Sequence, residues 1–247
     1  MLTFANVINP RIMDVKKNVR NPHKMMDEQD LAPSRDMPTP RREPVQKRSR
    51  ERYERMLAAA TEIIAEMGSH AMRMSDVAAR ADVAIGSLYQ YFPDKAAIIR
   101  VLAERSHAEC RRCIVERLAG VDTVEAFREG FREVFAQYLE MFRAEPVMRD
   151  IWSALQAEKS LAAVEMAESR MSGRVLAEIL VRLRPKVDRG ELEESAFLVM
   201  YLGETAIRLA SSQNDEEGRR TTEAYSRMAL GELLGDGRLG EGNPGRA

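Results

Sequence analysis

Tyr53, Met56, Leu57, Ala60, Ile63, Ile64 and Met67 follow the i, i+3, i+4, i+7 spacing that puts apolar side chains on one face of a helix. Gly68 comes directly after, where a helix end wants a residue tolerant of positive φ. Two short apolar sets follow, Val77, Ala78 and Ala81, then Ile85, Leu88, Tyr91 and Phe92. Pro93 and Asp94 interrupt the chain and open a helix expected over about 94–118, stopped by Gly120. Thr123 is placed to cap a helix with the inner face Phe127, Phe131, Val134, Phe135, Tyr138 and Phe142. Pro146 opens a short helix carrying Val147, Met148, Ile151, Trp152 and Leu155. Helices over about 159–183, 188–211 and 215–234 complete the pattern. No alternating strand pattern bounded by turn residues occurs, so the expected fold class is all-α.

The ends read differently. Residues 1–46 hold Pro10, Pro22, Pro33, Pro38, Pro40 and Pro44 without apolar periodicity, and are expected to be a disordered, Pro-containing basic extension. Residues 236–247 are expected to be a flexible, Gly-rich tail. Between them the pattern predicts a small domain over 47–94 and a helical domain over 95–235. Net charge over the 247 residues is −1, yet residues 41–100 carry +3 and residues 101–247 carry −5. A basic early segment on an acidic body suggests a head that binds nucleic acid. No apolar run is long enough to span a membrane, and two cysteines suit a reducing compartment, so the expected location is the cytoplasm.

Met74 to Lys95 reads MSDVAARADVAIGSLYQYFPDK. Two helices of about seven residues are joined by a turn near Asp82 and Val83, and Ala78, Ala79 and Ala81 let them approach closely. Val77, Val83 and Leu88 would fill the space between. This is the geometry of a helix-turn-helix, whose second helix enters the major groove of DNA.

At these residues the chain resembles the TetR family of bacterial transcriptional regulators. The resemblance runs from about Ser49 to Ile99 and rests on Asp76-Val77-Ala78, Gly86-Ser87-Leu88-Tyr89, Tyr91-Phe92 and Lys95. It implies an N-terminal three-helix DNA-binding domain and a C-terminal helical domain for ligand binding and dimerisation. It also implies that Ala84, Ile85, Gly86 and Ser87 lie nearest the base edges and that Gln90 pairs with a base. Tyr89, Tyr91 and Lys95 would reach phosphates, and Gly86 would allow close backbone approach. The second of the two short helices has no Lys or Arg, so backbone affinity falls to Arg41, Arg42, Lys47, Arg48, Arg50 and Arg52. Two residues depart from the family pattern. Arg73 replaces the usual Thr or Ser at the start of the first short helix, where it can still meet a phosphate, and Ser75 is an alternative cap. Asp82 replaces the usual turn glycine.

Other constellations carry less. His107, Cys110 and Cys113 stand at i, i+3 and i+6, short of a metal set and more simply a surface histidine with two small apolar residues. No metal or cofactor is expected. Gly235, Gly237 and Gly240 spell G-x-G-x-x-G, but a helix precedes them where a dinucleotide site needs a strand. Phe131, Phe135, Tyr138, Phe142, Met148, Trp152, Met171 and Met200 are candidate walls of a pocket for a small apolar or amphipathic ligand. Residues 192–210 are apolar on more than one face, which predicts a homodimer contact with the last helix through Phe197, Tyr201, Leu202, Leu209, Tyr225 and Met228.

The expected function is a non-enzymatic regulator, a repressor that binds a near-palindromic site on double-stranded DNA as a homodimer and is released by a small molecule. Two readings stay open beside it. One is a DNA-binding regulator without such an effector, controlled by thiol state, metal or partner. The other is an all-α interaction module.

Overall fold

A computed structural model describes residues 47–235; the expected extension, with Arg41 and Arg42, and the expected tail lie outside it. Among the described residues every regular element is a helix: α1 Lys47–Met67, α2 Met74–Arg80, α3 Ile85–Tyr91, α4 Lys95–Arg117, α5 Val124–Ala144, α6 Pro146–Ala157, α7 Lys159–Leu183, α8 Arg189–Ser211 and α9 Asp215–Leu234.

Local chemistry sets most of the boundaries. The side chains of Asp94, Thr123, Asp188 and Asn214 each accept a backbone N–H of the first turn, which caps α4, α5, α8 and α9. Pro146 stands in the first turn of α6, where no intrahelical N–H is missed. Gly68 (φ +81°) and Gly235 (φ +79°) end α1 and α9 in the left-handed region that glycine enters without strain.

Packing builds from α1. Its Met56, Leu57, Ile63 and Ile64 are buried, each worth about 1.5–3 kcal/mol over exposure. They pack with Val77 of α2, Leu88 of α3 and Phe92 in one apolar core that continues into the body. Two bidentate ion pairs pin α1: Arg80 to Glu66 at 2.7 Å, and Arg105 of α4 to Glu54 at 2.6 and 2.7 Å. In the body, α7 and α8 make the most extensive contact. A Cβ at Gly173 would stand 2.6 Å from the Phe197 Cα, so only glycine admits this approach.

The surface histidine expected at position 107 is a correction. His107 is 1% exposed. Its helix, α4, packs against α1, α5, α6 and α7 and so has no wide solvent face.

Candidate DNA-reading head and effector cavity

The turn between α2 and α3 forms a closed hydrogen-bonded motif. Val83 N–H donates to the Ala78 carbonyl at 3.0 Å and Asp82 N–H to that of Ala79 at 3.2 Å. Asp82 takes φ +52°, the left-handed position that this helix ending requires. A short polar side chain tolerates that geometry, and so the turn survives without glycine.

Ser75 is not a cap. Arg73 occupies the cap position with no side-chain acceptor, and the Ser75 hydroxyl donates to Asp76 Oδ1 at 3.2 Å. Both Arg73 and Ser75 are exposed. The side of α3 away from the core shows Ile85 at 44% and Tyr89 at 43% exposure, with Ala84, Gly86 and Gln90 exposed beside them. A Cβ built on Gly86 meets nothing within 4 Å. Large apolar side chains held in solvent this way are unusual unless something covers them.

Tyr91 belongs elsewhere than expected. Its ring is buried, tilted against Tyr53 at 5.9 Å, and its hydroxyl shares a 2.6 Å hydrogen bond with Ser49 Oγ. The structure thus moves Tyr91 from the contact surface to its support, tying α1 to α3. Ser87 does similar work, half-buried and accepting from Arg52 at 3.5 Å. Lys95 donates from Nζ to the His70 carbonyl at 3.3 Å. Arg48 and Arg50 are exposed and form no ion pair among the described residues, so their charge is open to an anion.

In the body, α4, α5, α6, α7 and α8 enclose a cavity of about 20 Å³, room for a water molecule or two. Of the candidate pocket residues, Phe135, Tyr138 and Phe142 of α5, Trp152 of α6 and Met200 of α8 line it. Phe131, Met148 and Met171 do not. Phe131 stacks into the core between Phe127 and Phe135, and the Met148 sulfur accepts from Ser106 Oγ at 3.3 Å. Five further residues that line it escaped the sequence pattern: His107, Cys110, Ser172, Glu204 and Ile207. Three are polar, and polar residues inside a helical core leave no trace in hydrophobic periodicity. Their only sequence signal is position, because Glu204 sits between Gly203 and Ile207 on the core side of α8.

Burial dominates the electrostatics here. It pushes the His107 imidazole down to about 3, helped by the Arg111 guanidinium, and holds the Glu204 carboxyl well above the usual range. Burial thus favours the uncharged form of each group. His107 Nδ1 faces Glu204 Oε1 at 3.5 Å, and Ser169 Oγ donates to the same oxygen at 3.0 Å. Burial likewise raises the thiols of Cys110 and Cys113, which keeps them protonated and unreactive. No group of three or more His, Cys, Asp or Glu positioned for a metal occurs among the described residues.

The expected dimer face divides in two. Leu202 (48%), Leu209 (54%) and Met228 (75%) are exposed, together with Leu198, which joins them on α8. Tyr201 is half-buried. Tyr225 turns inward: its ring lies 5.0 Å from Phe135 and its hydroxyl donates to the Val199 carbonyl. Phe197 packs on α7 under the Arg170 guanidinium, 4.0 Å from the ring centroid. The inward turn of Tyr225 is a correction, since Gly203 leaves room for the Phe135 ring and the Tyr225 hydroxyl, whereas Phe197 stays half-buried at the surface. No described helix is long and apolar enough to cross a membrane.

The fold and head define a class, an all-helical transcriptional regulator built on a helix-turn-helix. Residues 56–102 match the family model of bacterial regulatory proteins of the tetR family, and residues 125–236 match that of the tetracyclin repressor-like C-terminal domain. The chain belongs to the TetR family. It is 48% identical to the HTH-type transcriptional repressor KstR of Mycolicibacterium smegmatis over 50 residues, 20% of this chain and 24% of that one. It is 25% identical over 133 residues to an HTH-type regulator in the dhlA 5′ region of Xanthobacter autotrophicus, 53% of this chain and 66% of that one. The matched stretch spans about a quarter of the length of the KstR relatives. A TetR-family regulator from Streptomyces coelicolor superposes with a TM-score of 0.55 at 25% identity, covering 76% of this chain and 98% of the other. Salmonella enterica GusR shares the fold with a TM-score of 0.55 at 20% identity, covering 77% and 97%.

Proposed function

We propose that this chain is a dimeric repressor that reads a near-palindromic operator through α3 and leaves it when a small apolar or amphipathic molecule enters the body. The observation that carries the reading is the outer face of α3. Ile85, Tyr89 and Gln90 stand in solvent around a glycine with open space above it. Exposed Arg48, Arg50 and Arg73 flank that face to supply phosphate contacts. Ile85 suits a thymine methyl and Gln90 a base edge. The KstR relatives, matched only over the head, are named repressors.

The exposed apolar residues of α8, with Met228 of α9, suit a two-fold contact that sets the spacing of two heads. Coupling would run through α6. That helix puts Trp152 in the cavity wall, while its Asp150 carbonyl accepts from Ser69 Oγ at 3.2 Å in the loop leading to α2. A ligand that widens the cavity displaces α6, and α6 displaces the head. Binding energy then favours a dimer whose heads no longer match the half-sites.

The test is a footprint on a selected operator with wild-type and Gln90→Ala protein. The wild type is expected to protect two half-sites about one helical turn apart, or a multiple of it. The variant should lose discrimination at one base position per half-site by about 1–3 kcal/mol. An unchanged base preference would remove α3 as the reading element. A second reading, a regulator without an effector, is favoured by the small size of the cavity, about 20 Å³. Screening that finds no small molecule able to release the operator would support it.

A further inference from the structure

Three buried polar atoms at the body cavity have no hydrogen-bond partner among the described residues: His107 Nε2, Trp152 Nε1 and Glu204 Oε2. Their residues line one cavity. The His107 and Trp152 rings lie 4.8 Å apart, and His107 Nδ1 is 3.5 Å from Glu204 Oε1. His107 and Trp152 are 1% and 2% exposed, and the Glu204 side chain 9%. Buried polar atoms normally find partners, and leaving three together unmet is costly.

The geometry points to a subsite for a hydroxyl group carried on a small ring. This deepens the effector reading above and rests on it. The chemistry follows from the pair. In the neutral forms that burial favours, the 3.5 Å approach of Nδ1 and Oε1 takes one proton and leaves one facing the cavity. If the carboxyl proton faces Nδ1, then Nε2–H donates into the cavity and Oε2 accepts. If Nδ1 carries the imidazole proton, Nε2 accepts and the carboxyl Oε2–H donates. Either way the pair offers one donor and one acceptor, and Trp152 Nε1–H adds a second donor. A hydroxyl has one donor and two lone pairs, so a single hydroxyl oxygen answers all three atoms. A cation leaves the indole N–H unmet, and an anion meets the Glu204 carboxyl, on which Glu165 and Glu168 act as well as Arg208. Around the polar trio stand Phe135, Phe142 and Met200, and Phe142 meets Trp152 edge-on at 5.2 Å. These surfaces suit the face and edge of a ring. A ring does not fit the closed volume, so its entry must part Trp152 from Phe142 and thus move α6.

The chain has one tryptophan, so intrinsic emission reports this site directly. The probes are 4-fluorophenol, 4-fluorotoluene and 4-fluorobenzylammonium, titrated into the full-length protein near neutral pH. Binding is followed by fluorine NMR line broadening and by Trp152 emission, and release of an operator fragment is measured in parallel. The phenol should bind saturably and about tenfold or more tighter than the toluene, because a site built for a hydroxyl rejects the analogue lacking it. Trp152→Phe and Glu204→Leu, with helix content checked by circular dichroism, should bring that ratio near one. Equal affinity for phenol and toluene in the wild type, tighter binding of the ammonium, or no binding of any probe would overturn the subsite and leave the trio to an internal water. Preferential phenol binding without operator release would keep the subsite and sink the effector reading. Operator release by a compound without a hydroxyl, leaving Trp152 emission unchanged, would do the reverse.

Discussion

Gly86→Ala separates folding from DNA reading, because its two effects have opposite signs. An added Cβ meets nothing within 4 Å, so the methyl costs no packing. In the first turn of α3 it removes the entropic penalty of helical glycine, a gain of roughly 0.5–1 kcal/mol. For a chain of this size that corresponds to a rise in Tm of about 2 °C. On DNA the same methyl lies on the face that should approach the groove. Displacing the backbone there, or losing one well-placed contact, costs about 1.4 kcal/mol or more, at least a tenfold loss in affinity. The assay is paired: thermal melting of the free protein, and fluorescence anisotropy on an operator duplex at fixed salt. A variant that melts higher and binds weaker fits the account. A variant that binds DNA as tightly as the wild type refutes it, because α3 would then not lie close against the duplex.

Asp82→Gly should raise stability by about 1 kcal/mol, since glycine accepts φ +52° without the strain aspartate bears there; a lower melting temperature would contradict the turn assignment. His107 sits with its folded value near 3, below its unfolded value of about 6.5. The unfolded chain therefore binds the extra proton first, and stability is lost as pH falls from about 6.5 toward 3. Acidification from pH 7 to 4.5 should cost the wild type about 3 kcal/mol through this residue alone. His107→Phe should flatten that limb in denaturant titrations at the two pH values. Leu202→Glu on the exposed face of α8 should leave the melting of the monomer unit intact and shift sedimentation from dimer to monomer, with operator binding weakened alongside.

Much of this architecture was legible because it is local. Gly68, Asp94, Thr123 and Asp188 mark helix ends by their own local chemistry, and each does so in the structure. The exposed face of α3 was legible for a similar reason: Leu88 and Phe92 must face inward, which turns Ile85, Tyr89 and Gln90 outward. What failed depended on neighbours far away in sequence. Tyr91 became support because Ser49 is within reach of its hydroxyl across the head. His107 went inside because α4 is enclosed by four other helices, and Glu204 completes its surroundings from nearly a hundred residues away. Tyr225 turned inward because Gly203 on the facing helix left space for its hydroxyl. Periodicity records which side of a helix is apolar, and it is silent on polar pairs that meet in the core.

The most direct test of the central claim is selection from fragmented DNA of the source genome by the purified protein. It is run at near-physiological salt with excess non-specific competitor, and the retained fragments are sequenced. The account predicts a shared near-palindromic site whose half-sites fall on one face of the duplex, and relaxed preference at one base position per half-site with Gln90→Ala. Retention of nothing by a folded dimer, or enrichment without any shared site, would contradict it.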